Sequence, residues 1–271
     1  MQKCRTFGIV KLVRKVKTVN DYIKNPKVKI KYFETLPSTN AYLKEKAENL
    51  CEGTVIIAGN QTAGRGRFAR KFHSPESTGI YMSILLKPDY KGFDATFITT
   101  LAAVAVSESV EELSNKKTEI KWVNDVLIEG KKICGILTEG KIDPKTLKPN
   151  FVILGIGINA FTPSGGFNPE IERIAGSVFE VFDEDLKNRL AASVIDKVFG
   201  YINCSKKEIL AKYKSRVSFL GRQIFVIKND EKIPAIALDI DDDFRLLVRY
   251  ENGNQEYLSS GEISIKIKTF E

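Results

Sequence analysis

The chain changes texture near residue 215, and that change limits its architecture more than any other feature. Beyond Ser215, short apolar runs at 217–228, 233–239, 246–250 and 256–258 are separated by Asn229-Asp230, Asp241-Asp242-Asp243 and Asn252-Gly253. Alternating runs bounded by such turn residues predict strands. Four or five short strands packed this closely predict a small all-β barrel. Before residue 215 the pattern is mixed. Runs at 29–35, 54–58, 80–86, 119–122, 126–129, 132–141 and 151–158 read as strands. Helical spacing appears from Ser38 to Asn49, over 93–113, and as one long helix over 183–213. The fold class is therefore α+β, with a mixed sheet and flanking helices followed by a small β domain. The expected division is 1–31, 32–214 and 215–271.

The 271 residues suffice for a substantial core without disulfides or structural metal. No stretch approaches the about 20 uninterrupted apolar residues of a membrane span. The single histidine, His73, excludes His-rich metal sites and argues against a two-metal hydrolase. Cys4, Cys51, Cys134 and Cys204 form no CxxC pair and read as reduced, mostly buried thiols of a cytoplasmic protein. The net charge of +8 is concentrated at one end: residues 1–31 hold ten Lys or Arg and one acid, which leaves the remainder at −1. This segment reads as a solvated basic arm, with a nucleic-acid or acidic partner as the other reading. It contains no signal-peptide pattern.

Three segments can carry chemistry. The first is Gln61-Thr62-Ala63-Gly64-Arg65-Gly66-Arg67-Phe68-Ala69-Arg70-Lys71-Phe72. Its glycines let backbone N–H groups approach an anion, and its arginines offer forked donors to phosphate or carboxylate. Gly64-x-Gly66-x-x-Ala69 formally matches a dinucleotide-binding fingerprint, but that motif must open a helix, and here Ser74-Pro75 and a strand follow. The second is Lys121-Trp122-Val123-Asn124-Asp125 with Lys132-Ile133-Cys134-Gly135. Trp122 reads as core. Lys132 points either to solvent or into a pocket, beside space that Gly135 leaves for a ligand. The third is Gly155-Ile156-Gly157-Ile158-Asn159, whose glycines leave one strand face bare for close packing or for a flat ligand. No P-loop and no GxSxG elbow is present.

In this order the segments resemble the biotin–protein ligases (biotin–[acetyl-CoA-carboxylase] ligases), with Ser38-Thr39-Asn40 and the terminal Gly261-Glu262-Ile263-Ser264 adding to the match over about residues 30–271. The resemblance implies a class II aminoacyl-tRNA synthetase-like catalytic domain and an SH3-like C-terminal barrel. It implies activation of biotin with ATP and Mg2+ to biotinyl-5′-AMP. Biotin then passes to a lysine of the biotin carboxyl carrier domain of a biotin-dependent carboxylase. Ser38, Thr39, Asn40, Gln61 and Gly64 would line the biotin end. Arg65, Gly66 and Arg67 would fold over the ligand, and Lys132 with Arg67 would be catalytic. Gly135 and Gly157 would give the ligand room. Arg67, Arg70, Phe72, Asn124, Asn159 and Lys266 would serve the nucleotide. No side-chain cluster is expected for the metal, which would come with ATP.

The chain departs from the family pattern at four places. Phe72 stands for a usual Trp, Pro37 for an Asp, Val123 for a Pro, and Phe244 for a turn Gly. About thirty N-terminal residues are too few for the winged helix-turn-helix of bifunctional members, so operator DNA is not an expected partner. A homodimer is expected from the family, and a membrane is not. The competing readings are a lipoate–protein ligase of the same fold and a non-catalytic biotin-responsive regulator using the basic arm.

Overall fold

A computed structural model describes residues 17–75, 77–88, 94–146, 148–228, 231–259 and 261–265. The body contains β1 (Lys29–Leu36), α1 (Thr39–Lys46), β2 (Thr54–Gln61), β3 (Gly79–Leu86), α2 (Ala95–Ser114), β4 (Glu119–Lys121), β5 (Asp125–Ile128), β6 (Lys131–Ile142), β7 (Pro149–Asn159), α3 (Glu184–Tyr201) and α4 (Lys206–Lys214). Its sheet runs β1-β2-β3-β7-β6-β5-β4, parallel between β1 and β2 and antiparallel elsewhere.

Both faces of this sheet are covered, which is why its central strands are apolar at every position rather than alternately. On one face Val55, Ile57, Met82, Ile84, Val152 and Leu154 pack with α2, whose circumference is apolar. On the other, Ile56, Ala58, Leu85, Phe151 and Ile153 pack under Leu43 and Ala47 of α1 and its continuation. Strand parity assigns Gly155 and Gly157 to this second face, beyond Phe151 and Ile153. There the first residues of α1 lie over the sheet and the cavity begins.

The helices start where side chains cap them. Ser38 accepts from Ala41 N, Asp94 from Thr96 N and Phe97 N, Asp183 from Asp185 N and Leu186 N, and Ser205 from Glu208 N. Each satisfies an N–H that the first turn leaves unpaired. The long helix expected over 183–213 is in fact two. Ser205 adopts an extended backbone and caps α4, so helical spacing continues across a break that apolar periodicity does not register.

The C-terminal unit is a five-stranded antiparallel sheet of β8 (Gln223–Lys228), β9 (Glu231–Ile240), β10 (Leu246–Tyr250), β11 (Gln255–Leu258) and β12 (Glu262–Ile265), in the order β11-β10-β9-β8-β12. The run expected from 217 becomes strand only at Gln223, because Gly221 turns the chain at φ +77°. One core continues from the body into this sheet. Phe244 is the join. It is fully buried at φ +59°, a conformation that explains why a glycine suits this turn. Its ring meets Phe97 and Tyr213, and its carbonyl accepts from Trp122 Nε1 at 2.9 Å.

Of the segment read as a basic arm, residues 1–16 lie outside the described residues. Residues 17–28 run along α3. The Asp196 carboxylate accepts from Lys24 N and Asn25 N, Asp185 accepts from the Tyr22 hydroxyl, and Asn188 Nδ2 donates to Lys17 O. Of the described cysteines only Cys134 is buried. Cys51 is exposed and Cys204 half-buried, which corrects the expectation of mostly buried thiols.

Candidate active site

Register builds the site. Across the sheet, Tyr81 faces Gly157, Gly157 faces Gly135, and Gly135 faces Asp125. One step along, Ser83 faces Gly155 and Gly155 faces Leu137. Directly opposed residues share a face, so Tyr81, Ser83, the three glycines and Asp125 line one surface. Above it lies a cavity of about 260 Å³. It brings together Ser38, Thr39, Asn40, Gln61, Arg65, Gly66, Arg67, Arg70, Phe72, Asn124, Lys132, Gly135, Gly157 and Asn159. Gly64 lies behind the loop rather than in this lining, and Lys266 lies outside the described residues.

Lys132 reaches the cavity through an irregularity. Regular alternation would put residues 132 and 135 on opposite faces. Asp125 pairs with Gly135 and Val126 with Cys134, but Leu127 pairs with Lys132, so Ile133 is the extra residue of a bulge. Ile133 and Cys134 both enter the core, and Lys132 turns to the glycine face. Its Nζ lies 2.7 Å from Asp125 Oδ1. A Cβ on Gly135 would stand 3.2 Å from Lys132 Cε. Gly135 thus makes room for the lysine and for the edge of the Phe72 ring. Burial pushes the Cys134 thiol up, so it packs rather than reacts.

The glycines of β7 also serve the protein's own side chains. A Cβ on Gly155 would lie 2.2 Å from Asn40 Oδ1, and one on Gly157 would lie 2.4 Å from Phe72 Cε1. Phe72 rests on the Gly157–Gly135 floor with its edge toward Tyr81. Burial holds the Tyr81 phenol well above its usual range, so it stays protonated and donates to Pro75 O.

The Arg-rich segment is folded back on the site. Ala63 N donates to Pro37 O, Phe72 N to Gly64 O and Gly66 N to Arg70 O. Arg67 Nη1 donates to Asn124 Oδ1 at 3.0 Å, and Asn124 Nδ2 donates to Ile136 O. Asn159 Nδ2 donates to Gly176 O. Of the charged side chains among the described lining residues, six are cationic and one, Asp125, is anionic. Such a cavity favours anionic ligands.

The two loop glycines differ. A Cβ on Gly64 would lie 2.4 Å from Phe72 O, whereas one on Gly66 would lie at an ordinary 3.5 Å from Arg70 O. Gly64→Ala is therefore expected to open the loop and raise tryptic cleavage at Arg65, Arg67, Arg70 and Lys71 by about tenfold, while Gly66→Ala leaves it unchanged. Equal cleavage of the two variants, timed by mass spectrometry, would refute this difference.

Sequence reasoning missed Ser83, Ser74 and Glu139. Ser83 Oγ lies 2.6 Å from Asn40 Oδ1 and 2.7 Å from Thr39 Oγ1. Asn40 Nδ2 donates to Glu139 Oε2 at 2.9 Å, and Gln61 Nε2 donates to Ser74 Oγ. Their signals were present: Ser83 is the one serine in an otherwise apolar or aromatic strand, and Glu139 shares the parity of Gly135 on β6.

Comparison with known proteins places this architecture. Residues 32–159 match the Biotin/lipoate A/B protein ligase family, and residues 219–266 match the Biotin protein ligase C terminal domain. The chain is 34% identical over 238 residues to the Bifunctional ligase/repressor BirA of Bacillus subtilis, covering 84% of this chain and 72% of that protein. It is 30% identical over 234 residues to the Biotin--[acetyl-CoA-carboxylase] ligase of Mycobacterium tuberculosis, covering 83% and 85%. The structure of the biotin protein ligase from Aquifex aeolicus in complex with biotin and ATP superposes with a TM-score of 0.72 at 27% identity, over 88% of this chain and 98% of that one. With this sheet, cavity and C-terminal unit, the chain belongs to the biotin protein ligase family.

Proposed function

We propose that the cavity above Gly135, Gly155 and Gly157 activates biotin with ATP and delivers biotin to a carrier protein. The observation that carries this reading is the placement of Lys132, held by Asp125 on a glycine floor under the Arg65–Arg67 loop. In the first step a biotin carboxylate oxygen bonds to the α-phosphorus of ATP, and the bond to the β-phosphate oxygen breaks. Pyrophosphate leaves and biotinyl-5′-AMP forms. Two anions must meet in a site of reduced dielectric, where their repulsion is large. Lys132 and Arg67 offset that repulsion and stabilise the charge that develops at phosphorus. In the second step the neutral amine of a carrier lysine bonds to the acyl carbon, gives up a proton, and AMP departs. Asn124 would set Arg67, and the closed loop would keep water from the mixed anhydride.

Ser38, Thr39, Asn40 and Gln61 form the biotin end in this reading, with Gly64 behind them. Arg70, Phe72, Asn159 and Lys266 serve the nucleotide. Mg2+ would arrive on the nucleotide's phosphates. Among the described residues no three His, Cys, Asp or Glu side chains gather to hold it, and Asp125 is engaged by Lys132. The acceptor is proposed to be the biotin carboxyl carrier domain of a biotin-dependent carboxylase. The mixed sheet with flanking helices supports the synthetase-like class, and the five-stranded C-terminal sheet supports the SH3-like label. The proposed division keeps the boundary between catalytic domain and barrel at 214/215, whereas the arm expected over 1–31 ends before Lys29, which opens β1 and pairs with Thr54 of β2. A homodimer formed through a sheet edge is proposed, and a monomer in sedimentation with and without biotin would exclude it. No helix among the described residues is long and apolar enough to cross a membrane. A cytoplasmic location is proposed, in keeping with the unpaired thiols at Cys51, Cys134 and Cys204.

The test is pyrophosphate exchange into ATP with Mg2+ and either biotin or lipoate. Exchange with biotin alone is expected. Exchange with lipoate alone would move the chain to the sister activity, and exchange with neither would end the proposal. Arg67→Ala is expected to lower exchange less than Lys132→Ala does and to release biotinyl-5′-AMP to water, seen as AMP formation uncoupled from carrier biotinylation. Tight coupling in that variant would remove Arg67 from the closing role.

A further inference from the structure

The turn that carries Asn124 is held from behind by a residue outside the cavity lining. Lys121 pairs with Asp125 where β4 turns into β5, so residues 122–124 form the tip of a hairpin, beyond its ladder of pairs. Val123 is buried there, and a buried backbone carbonyl needs a donor. The donor is distant in sequence. The hydroxyl of Tyr213, on α4, donates to Val123 O at 3.2 Å across 90 positions of the chain. Tyr213 is itself fully buried.

The two residues after Val123 orient the two cations assigned to the reaction. Asn124 Oδ1 accepts from Arg67 Nη1 at 3.0 Å, and Asp125 Oδ1 meets Lys132 Nζ at 2.7 Å. The outer side of the turn is tied to β6, where Ile136 N donates to Asn124 O and Asn124 Nδ2 donates to Ile136 O. Two bonds to a single residue leave a pivot. Tyr213 holds the inner side, and Trp122 Nε1 donates to Phe244 O one residue earlier. The Tyr213 and Phe244 rings pack edge to face at 6.2 Å, so one aromatic pair backs both bonds. Burial first, and the Asp125 carboxylate second, push the Tyr213 phenol well above its usual range, while Arg67 acts the other way. The hydroxyl therefore keeps its proton and remains a donor.

We infer that the Tyr213 hydroxyl is a positioning group for the reaction: by holding Val123 O it stops the 122–124 turn from pivoting, and so keeps Arg67 closed over the activated intermediate. It touches no substrate. The inference rests on the biotinyl-5′-AMP reading and adds to it a residue of α4. Its effect falls on retention of the intermediate rather than on binding of biotin.

The test uses the full chain. Tyr213→Phe keeps the ring against Phe244 and removes only the donor. It is expected to raise the ratio of AMP formed to carrier biotinylated by about fivefold, the effect of one net hydrogen bond, while biotin affinity by calorimetry stays within about twofold. Trp122 is the single tryptophan of the chain, so acrylamide quenching of its emission reads the turn directly. Quenching should rise in Tyr213→Phe. Tyr201→Phe is the control for a lost hydroxyl, because Tyr201 donates to Glu108 rather than to the turn. That variant should couple and quench like the wild type. In the background of Arg67→Ala, Tyr213→Phe should add almost nothing to the leak. Wild-type coupling or wild-type quenching in a folded Tyr213→Phe protein would overturn the positioning role. An equal leak in Tyr201→Phe, or full multiplication of the leak with that of Arg67→Ala, would do the same. A wild-type chain that forms no biotinyl-5′-AMP would overturn the functional reading itself, an outcome separable from the quenching of the variants.

Discussion

Lys132→Ala is expected to lower biotin-dependent pyrophosphate exchange by about a thousandfold, the upper end of the range found when one hydrogen-bond donor is removed from a preorganised site. The reason lies in what the side chain leaves behind. Lys132 Nζ sits 2.7 Å from Asp125 Oδ1. Removing the ammonium deletes the cation that offsets two substrate anions and also exposes them to an uncompensated carboxylate. The loss should therefore exceed that of other cavity cations, including Arg70. The side chains of this pair are 34% and 18% exposed, so the fold should survive and the urea midpoint should stay near that of the wild type. Lys132→Arg should restore only part of the activity, because a planar fork cannot replace a compact ammonium beside Gly135. Substantial exchange by a folded Lys132→Ala protein would remove Lys132 from the reaction centre.

The second large effect is on stability. Phe244→Ala is expected to cost about 3–5 kcal/mol, typical of truncating a buried Phe. The ring is fully buried between Phe97 and Tyr213 where the two sheets share one core. Phe244→Gly separates packing from backbone conformation. Glycine relieves about 1–2 kcal/mol of left-handed strain at φ +59° but leaves the same hole. It should therefore be less harmful than Ala while remaining less stable than the wild type. Urea denaturation reads both as falls in midpoint at similar slope. A Gly variant as stable as the wild type would show that the ring contributes no more than the strain that glycine relieves. Since the Phe244 carbonyl also holds Trp122, next to the Asn124–Asp125 turn, activity should decline before global unfolding.

Much of the fold was legible because its signals are local. Strand runs, the Ser38 cap and the turn residues of the C-terminal unit act within a few positions of themselves. The break between α3 and α4 was not legible, because Ser205 interrupts the backbone without interrupting apolar spacing. The loop glycines marked a site but not their separate roles. Only the crossing of the Phe72 carbonyl distinguishes Gly64 from Gly66. Likewise, Gly155 and Gly157 announced a bare strand face, but not that Asn40 and Phe72 would occupy part of it.

The sequence by itself determined which chemical groups are available: a cation-rich loop, one lysine beside a glycine, an Asn-Asp turn, and a strand that a ligand can approach. Those follow from residue type and spacing. Tertiary structure alone decided how they meet. Regular pleating would have sent Lys132 away from Gly135, and a one-residue bulge opposite Leu127 brings the lysine to the cavity. Glu139 and Ser83 enter the site only because β3, β7 and β6 align in register beneath α1. Register is settled by which faces of the whole sheet can be buried together, and no short stretch of chain carries that information.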